Sequence, residues 1–345
     1  MHEVVKIKHS RKSIQARKYL IRSAMGGLIV ILGIMIWMLT PIRQVMVMGV
    51  ERVLIYINEY TSRETQSEQP FLQDVELDEV TEIDLSDYEI VIKNTHDLWS
   101  GELILVNSAH SCRIQQGNDL LSVNGLKNDS YKLVDQEMKL NQTMIQQLNR
   151  MMKTFEMSTG KHDMILTSGY RTIEEQEEVL QEKIELLGEE EALEWAMLPK
   201  YSEHHTGYAM DMSIYTDQGN YIRYKGQDEY GWINQNCHKY GFIRRYSSDK
   251  EAITGVVNEE WHYRYVGIPH AYIIATKNFC FEEYIEYLKQ YRYDTKHLIM
   301  TCEQGKYEIY FVSSEQRETE VWVPGEESYS ISGNNVDGYI VTIEK

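Results

Sequence analysis

The sequence has few cysteines, and they are not paired at C-x-x-C spacing. The four are Cys112, Cys237, Cys280 and Cys302. A zinc site built from cysteines is therefore not expected, although Cys280 and Cys302 would suit a disulfide in an oxidising compartment. A G-x-S-x-G element is also missing. Serine or cysteine nucleophilic catalysis is accordingly disfavoured.

Positive charge is scarce as well. The 345 residues carry 35 Lys and Arg against 53 Asp and Glu, a formal net charge of -18. An acidic chain is a poor partner for nucleic acid, so we expect no nucleic-acid binding. The hydrophobic share of 42% is enough for a real core in one large domain or two small ones.

The N-terminus differs from the rest. Residues 1–22 hold seven basic side chains and one acid, and residues 23–42 then run without a charge. Twenty apolar residues match the thickness of a bilayer core, and no small-x-small cleavage pattern follows them. We predict a basic cytoplasmic tail at 1–22 and an uncleaved single-pass anchor at 23–42. The positive-inside rule then places the remainder outside the cell membrane.

Residues 43–95 are predicted to connect the anchor to the folded part. The first portion, 44–60, is apolar but interrupted by Glu51 and Arg52, which indicates a helix leaving or lying along the membrane. The portion from Thr61 to about Asn94 carries ten acids against almost no bases. Such self-repelling composition predicts an extended or disordered tether.

A histidine- and aspartate-bearing stretch, residues 201–214, suggests a metal site. Two histidines, His204 and His205, precede Gly207, and the chain then alternates with period 2. Asp211 is thus a carboxylate within a largely apolar strand, which is costly unless it is paired or binds a metal. An imidazole and a carboxylate brought together across Gly207 make a plausible half of a zinc site.

The other half is predicted downstream, in Glu259-Glu260-Trp261-His262. His262 would complete a set of three ligands and leave a fourth position open, as in catalytic zinc sites. Glu259 is placed to take a proton from water. In a regular strand Glu259 and His262 would face opposite sides, so we predict a turn or bulge, with a loop at 258–260 that enters a strand at Trp261.

These two motifs resemble the VanY-type D-alanyl-D-alanine carboxypeptidases, zinc peptidases that trim peptidoglycan stem peptides. The similarity lies in Ser202-x-His204-x-x-Gly207-x-Ala209-x-Asp211 followed by Glu259-x-Trp261-His262, within a region from about Leu103 to Leu288. The resemblance implies Zn²⁺ as cofactor, His204, Asp211 and His262 as its ligands, and Glu259 as the base. It also selects His204 over His205.

The same resemblance implies further site residues. Ser168-Gly169-Tyr170-Arg171 is similar to the family segment that contributes an active-site arginine, so Arg171 would stabilise the developing oxyanion. Three residues are candidate substrate contacts: Ser202, Arg244 and Tyr246. A surface ion pair is the alternative role for Arg171, and exposed arginines are common enough to account for Arg244.

The coarse pattern of elements predicts an α+β fold. We expect a small, mainly antiparallel sheet with flanking helices to carry the zinc site in a domain at 96–293. Leu103–Val106 is predicted as a strand, 135–157 as a helix with a methionine-rich core face, and 172–187 as a helix with a capping box. A small β-rich extension follows at 294–345, for which support of the domain is favoured over a contact with the cell wall.

The expected reaction is removal of the terminal D-alanine from a stem peptide that ends in D-Ala-D-Ala. Where a glycopeptide antibiotic targets that terminus, trimming would lower its binding. Three alternatives stay open: an endopeptidase with the same metal site, a D,D-dipeptidase, and a non-catalytic wall-binding protein. The last is disfavoured because all three ligand positions and the base are filled.

Overall fold

The computed structural model describes residues 75–114, 119–216 and 218–345, which fall in one compact unit of the chain. The predicted cytoplasmic tail, the anchor at 23–42 and most of the connecting segment lie outside the described residues. Within the described ranges, every helix is too short or too polar to cross a bilayer.

The secondary structure alternates strands with short helices. The strands are β1 (Glu76–Val80), β2 (Tyr88–Asn94), β3 (Leu120–Ser122), β4 (Lys132–Leu133), β5 (Lys139–Asn141), β6 (Met164–Ser168), β7 (Ala209–Tyr215), β8 (Tyr221–Arg223), β9 (Phe242–Tyr246), β10 (Glu259–Tyr265), β11 (His297–Cys302), β12 (Gly305–Ser313), β13 (Glu318–Pro324), β14 (Tyr329–Gly333) and β15 (Gly338–Glu344). The helices are α1 (Gln142–Thr159), α2 (Ile173–Leu187), α3 (Glu189–Trp195), α4 (Gly231–Asn236), α5 (Glu251–Thr254), α6 (Ile268–Lys277) and α7 (Phe281–Leu288). This mixture of sheets and helices agrees with the predicted α+β class.

A six-stranded sheet carries both predicted motifs. Its strand order is β4-β6-β7-β10-β9, and β8 pairs with the last three residues of β7. The β4–β6 pair is parallel and the other pairs are antiparallel, as expected for a mainly antiparallel sheet. The apolar face of α1 shares one core cluster with β6, β7 and β10. The methionine-rich stripe is therefore core packing, as predicted.

Helix α1 begins later than its apolar pattern indicated. The expected start was residue 135, but residues 139–141 pair with β3 instead. The side chain of Asn141 accepts hydrogen bonds from the backbone N–H groups of Thr143 and Met144, which is an N-cap that sets the first turn. By contrast, α2 begins at the predicted capping box of Thr172 and Glu175 and ends before Gly188.

The prediction of a strand at Leu103–Val106 is wrong. The segment is buried but forms no strand and does not join a sheet. Side chains and loop backbone satisfy its polar groups: Ser332 Oγ accepts from the Leu103 N–H, and the Arg264 guanidinium donates to the Ile104 carbonyl. Burial without a ladder is tolerated where backbone groups find such partners.

The second sheet lies in the C-terminal part. It has the order β1-β11-β12-β15-β14, and alternate residues of β12 face two different cores. Ile309 and Phe311 pack with α6 and α7, whereas Tyr310 and Val312 pack with β13 and β2. The β-rich character predicted for 294–345 is present, but this region shares a core with the helices before it.

Part of the acidic tether prediction also requires correction. Glu76–Val80 pairs with β11, and Tyr88–Asn94 pairs with β13 along seven residues. Tyr88 and Val91 pack on the C-terminal core. Ile90 and Ile92 are exposed, so the strand is established by its pairing with β13 and by these two contacts rather than by a regular alternation of acids and packed residues.

The four cysteines all have free thiols. Cys237, Cys280 and Cys302 are buried, and the pairing considered for Cys280 with Cys302 is not formed. These thiols behave as small apolar core residues, and burial raises the pKa of Cys237 to about 12.

Replacing Val91 tests whether β2 is part of the fold. Val91→Ser removes an apolar contact with the C-terminal core and should lower the free energy of unfolding by about 1–2 kcal/mol in urea titrations of the full-length chain. The matched control is Ile92→Ser, since Ile92 is 51% exposed and should change stability by less than about 0.5 kcal/mol. If neither substitution changed the free energy of unfolding, β2 would not be part of the fold, and the segment would be the tether that its composition predicted.

Candidate functional site

Strand pairing places Asp211 beside His262. In the antiparallel β7–β10 pair the two residues are direct partners, with Met210 opposite Tyr263 and Ala209 opposite Arg264. Partners in register project to the same face of the sheet. Two residues 51 positions apart are thereby held with His262 Nδ1 2.9 Å from Asp211 Oδ1.

His204 reaches the same point from a short 3₁₀ turn, Glu203–Thr206. The Ser202 side chain caps this turn, and Gly207 ends it in the left-handed region at φ 74°. A Cβ at Gly207 would also lie 2.4 Å from Leu120 Cδ2, so glycine is required on two counts. The bend predicted at Gly207 is confirmed, and it aims His204 back at the strand.

The three predicted ligands form one cluster. One donor atom each from His204, Asp211 and His262 lies within 4.8 Å of the other two. His204 Nδ1 is 2.7 Å from the Gly169 carbonyl, and His262 Nε2 is 3.2 Å from Glu203 Oε2. These contacts fix the tautomers, leaving His204 Nε2 and His262 Nδ1 directed at Asp211. Such a His, Asp, His donor set with supported rings fits Zn²⁺.

Glu259 comes to the edge of this cluster through a bulge. The pairing of β10 with β9 changes register between Glu259 and Tyr263, and Glu259 Oε2 lies 4.0 Å from His262 Nδ1. The predicted bulge is confirmed, but the predicted loop at 258–260 is not, since β10 already begins at Glu259. Burial raises the pKa of Glu259 to about 7, which suits a residue that must both accept and release a proton.

Arg171 lies where β6 gives way to α2. Its guanidinium donates to Gln176 Oε1 at 2.6 Å and to Ser168 Oγ at 2.7 Å, and Gln176 in turn donates to the Met197 carbonyl. Gln176 is buried and was absent from the predicted site, although its position one turn into a capped helix close to Arg171 was a usable signal. The geometry holds Arg171 rigidly rather than in a surface ion pair.

The site opens into a cleft of ≈ 450 Å³. The three predicted ligands, Glu259 and Arg171 line it, as do two of the candidate substrate contacts, Ser202 and Tyr246. Tyr246 stacks on the His262 ring with centroids 5.1 Å apart. Arg244 does not line this cleft and is exposed, so its proposed contact with substrate is corrected. Strand alternation in β9 sends Arg244 outward and its neighbour Arg245 inward.

A buried ion cluster beneath the site escaped the sequence analysis. Glu203 Oε1 accepts from Arg245 Nε at 2.8 Å and from Arg264 Nη1 at 3.3 Å, while Oε2 contacts His262. Arg245 also forms a bidentate pair with Glu282 of α7. Adjacent arginines in β9 were the available signal, since alternation must bury one of them and a buried guanidinium needs carboxylate partners.

The chain is similar to known proteins across this region. Residues 137–268 match the family model described as VanY, D-alanyl-D-alanine carboxypeptidase. A D-alanyl-D-alanine carboxypeptidase of Enterococcus faecium is 35% identical over 250 residues, which cover 71% of this chain and 76% of that protein. The bifunctional D-Ala-D-Ala dipeptidase and carboxypeptidase VanXYC of Enterococcus gallinarum is 34% identical over 137 residues, 39% of this chain and 72% of that protein.

A solved structure is similar over most of the fold. It is that of the vancomycin resistance D,D-dipeptidase VanXYg in complex with a D-Ala-D-Ala phosphinate analogue, with a TM-score of 0.67 and 27% identity. The alignment covers 75% of this chain and 99% of that one.

Removing the charge of Glu203 should destabilise the protein. Glu203→Gln leaves two buried guanidinium groups with less compensation, and we expect a loss of about 3–5 kcal/mol in the free energy of unfolding. Chemical denaturation provides the measurement, with the exposed Glu185→Gln as the matched control. A Glu203→Gln protein as stable as the control would show that this cluster does not hold the fold.

Zinc binding should release at least one proton near neutral pH. Burial opposes the protonation of His262, but hydrogen bonds to Asp211 and Glu203 outweigh it and raise the pKa of His262 to about 10. Burial and Arg171 lower the pKa of His204, which is therefore already neutral. A ligating His262 must be deprotonated, so zinc affinity should rise about tenfold per pH unit between pH 6 and 9.

Calorimetry in buffers of different ionisation enthalpy measures that proton count directly. At least one proton per zinc at pH 7 is expected for the unaltered chain. Asp211→Asn should weaken zinc binding strongly, whereas Asp129→Asn, an exposed control, should not. Release of no proton at pH 7 would contradict His262 as a ligand.

Proposed function

Because the chain belongs to the VanY family of D-alanyl-D-alanine carboxypeptidases, which are zinc peptidases, we propose that it removes the terminal D-alanine from peptidoglycan stem pentapeptides. The observation that carries this proposal is the convergence of His204, Asp211 and His262, with Glu259 at their edge, on one cleft. The products would be a tetrapeptide stem and free D-alanine.

Three side chains would hold the metal in this reaction: His204 through Nε2, His262 through Nδ1, and Asp211 through a carboxylate oxygen. Zinc bound there supplies a Lewis acid that brings the pKa of water toward neutrality. The supporting contacts to Gly169 and Glu203 keep both imidazoles in the tautomer that ligation needs.

Glu259 would move the proton. Its carboxylate accepts a proton from the attacking water and later delivers it to the leaving amine of the terminal D-alanine. In the metal-free site, burial raises the pKa of Glu259 to about 7, a range in which a carboxyl can both accept and release a proton near neutral pH. This placement depends on the bulge in β10, since a regular strand would turn Glu259 away from the cleft.

Arg171 would stabilise the transition state. Its guanidinium is a fixed cation in the cleft wall, and charge develops on the carbonyl oxygen as the tetrahedral centre forms. Gln176 and Ser168 hold two of its nitrogens in place, so little reorganisation is needed when that charge appears. Ser202 and Tyr246 line the same cleft and are proposed to contact the substrate.

A second candidate is hydrolysis of free D-Ala-D-Ala. It is favoured by the similarity to VanXYg and VanXYC, whose names include D,D-dipeptidase activity. The two reactions share the metal site and the base, and they differ in whether the cleft accommodates a peptide upstream of the scissile bond. Relative rates on the pentapeptide and the dipeptide decide between them.

The cellular setting is also a proposal. The uncharged run at 23–42, flanked by basic residues, supports a single-pass anchor with the catalytic part outside the cell membrane. From that position the enzyme would reach wall precursors, and loss of the D-Ala-D-Ala terminus would reduce binding of glycopeptide antibiotics.

Replacing the base tests the reaction. Full-length, zinc-loaded protein should release D-alanine from a stem pentapeptide, and Glu259→Gln should lower kcat about 10²–10⁴-fold while zinc stoichiometry stays at one per chain. The control is Glu260→Gln, which changes the adjacent carboxylate outside the cleft. Release from neither pentapeptide nor dipeptide by the unaltered, zinc-loaded chain would refute the proposal.

A further inference from the structure

The outer wall of the cleft is built from two tryptophans and an arginine. Trp195 at the end of α3 and Trp261 in β10 stack with centroids 6.5 Å apart and planes 15° apart. The Arg223 guanidinium, at the end of β8, lies 4.3 Å from the Trp261 ring centroid and 5.4 Å from that of Trp195. All three side chains line the same cleft as the predicted metal ligands.

The Arg223 guanidinium lies over the Trp261 ring, and its N–H donors are free in the part of the chain that the structure describes. Stacking on indole uses the plane of a guanidinium and leaves its N–H donors pointing outward. Within the described residues, its side chain forms no ion pair and donates no hydrogen bond, although the chain has a large excess of acids. A positioned cation without a carboxylate is suited to receive one from a ligand, because guanidinium binds carboxylate bidentately.

A second cation, Lys183, supports a carboxylate-binding role for this part of the cleft. It also lines the cleft, from α2, and makes no ion pair with a described side chain. The inner cleft is different, because there the carboxylates of Asp211 and Glu259 face the histidines and Arg171. The cleft is thus divided into an inner reacting end and an outer cationic, aromatic end.

We propose that Arg223, stacked on Trp261 and Trp195, forms a specificity subsite for a carboxylate of the stem peptide upstream of D-Ala-D-Ala. The inference rests on the proposed carboxypeptidase function and names the substrate class that it prefers. Two carboxylates fit this chemistry: the one on the side chain of the residue before D-Ala-D-Ala, and the α-carboxylate of the γ-linked residue before that. A stem with an amine or an amide at the recognised position would bind less well.

The test measures binding in the absence of turnover. Full-length, zinc-loaded Glu259→Gln protein is titrated by calorimetry with three pentapeptides: one with both carboxylates, and one with each carboxylate converted to its amide. One of the two amidations should raise Kd about tenfold, and the identity of that peptide shows which carboxylate is recognised. Adding Arg223→Gln should reduce this penalty to less than twofold.

The comparison of peptides within one protein removes an ambiguity. Arg223 lowers the pKa of Glu259 in the unaltered chain, but that carboxyl is absent from the Glu259→Gln protein used in the titration. Any other effect of Arg223→Gln that is common to all three peptides cancels in the ratio of their Kd values. Arg150→Gln, an exposed arginine on α1 outside the cleft, is the matched control and should keep the full tenfold ratio.

The ratio of Kd values separates a carboxylate subsite at Arg223 from the absence of one. Arg223→Lys should preserve part of the ratio, because it retains the charge but loses the planar stacked fork. Equal Kd values for all three peptides, absence of measurable binding, or a ratio that survives Arg223→Gln would overturn the inference. D-alanine release by the unaltered enzyme from the same peptides reports separately on the proposed function, which stands if turnover occurs without carboxylate preference.

Discussion

The rest of the site depends on the ion pairs made by the buried carboxylate of Glu203. It meets Arg245 of β9, Arg264 of β10 and the ring of His262, and all of these groups are almost fully withdrawn from water. Desolvating such charges is expensive, and their mutual contacts recover the cost only in a single geometry. The pKa of Glu203 is lowered because its cationic partners outweigh the effect of burial. The neighbouring His204 is thus placed by the same cluster that orients His262.

This cluster also explains why the C-terminal sheet is more than an appendage. Arg245 also donates hydrogen bonds to Glu282 on α7, and Arg264 donates to the carbonyls of Glu102 and Ile104. The 103–106 segment is held in turn by Ser332 and by Asn335, which donates to the Leu105 carbonyl. A chain of hydrogen bonds therefore runs from the turn bearing His204, through the two buried arginines, to the far sheet. Support of the site is a sufficient physical role for that sheet.

The parts of the site that could be predicted were those encoded locally. Asp211 stood out as a charge in an apolar strand, and the bulge at Glu259 followed from the need to bring positions i and i+3 to one face. The Glu203 cluster could not be deduced, because its partners lie 42 and 61 residues away in the chain. Burial of Leu103–Val106 was evident from composition, but whether a ladder or side chains would satisfy its backbone was not. Net charge misled at 76–94, where two strands form despite the excess of acids.

Arg223 links the proposed substrate subsite to the base Glu259 through its charge alone. It is among the charges that act on Glu259, and it opposes the effect of burial by lowering the pKa of that carboxyl. A ligand carboxylate bound at Arg223 would neutralise the guanidinium and let the pKa of Glu259 rise. A higher pKa makes Glu259 a stronger base but leaves less of it ionised at neutral pH, so filling the outer end of the cleft would move the pH dependence of the reaction upward.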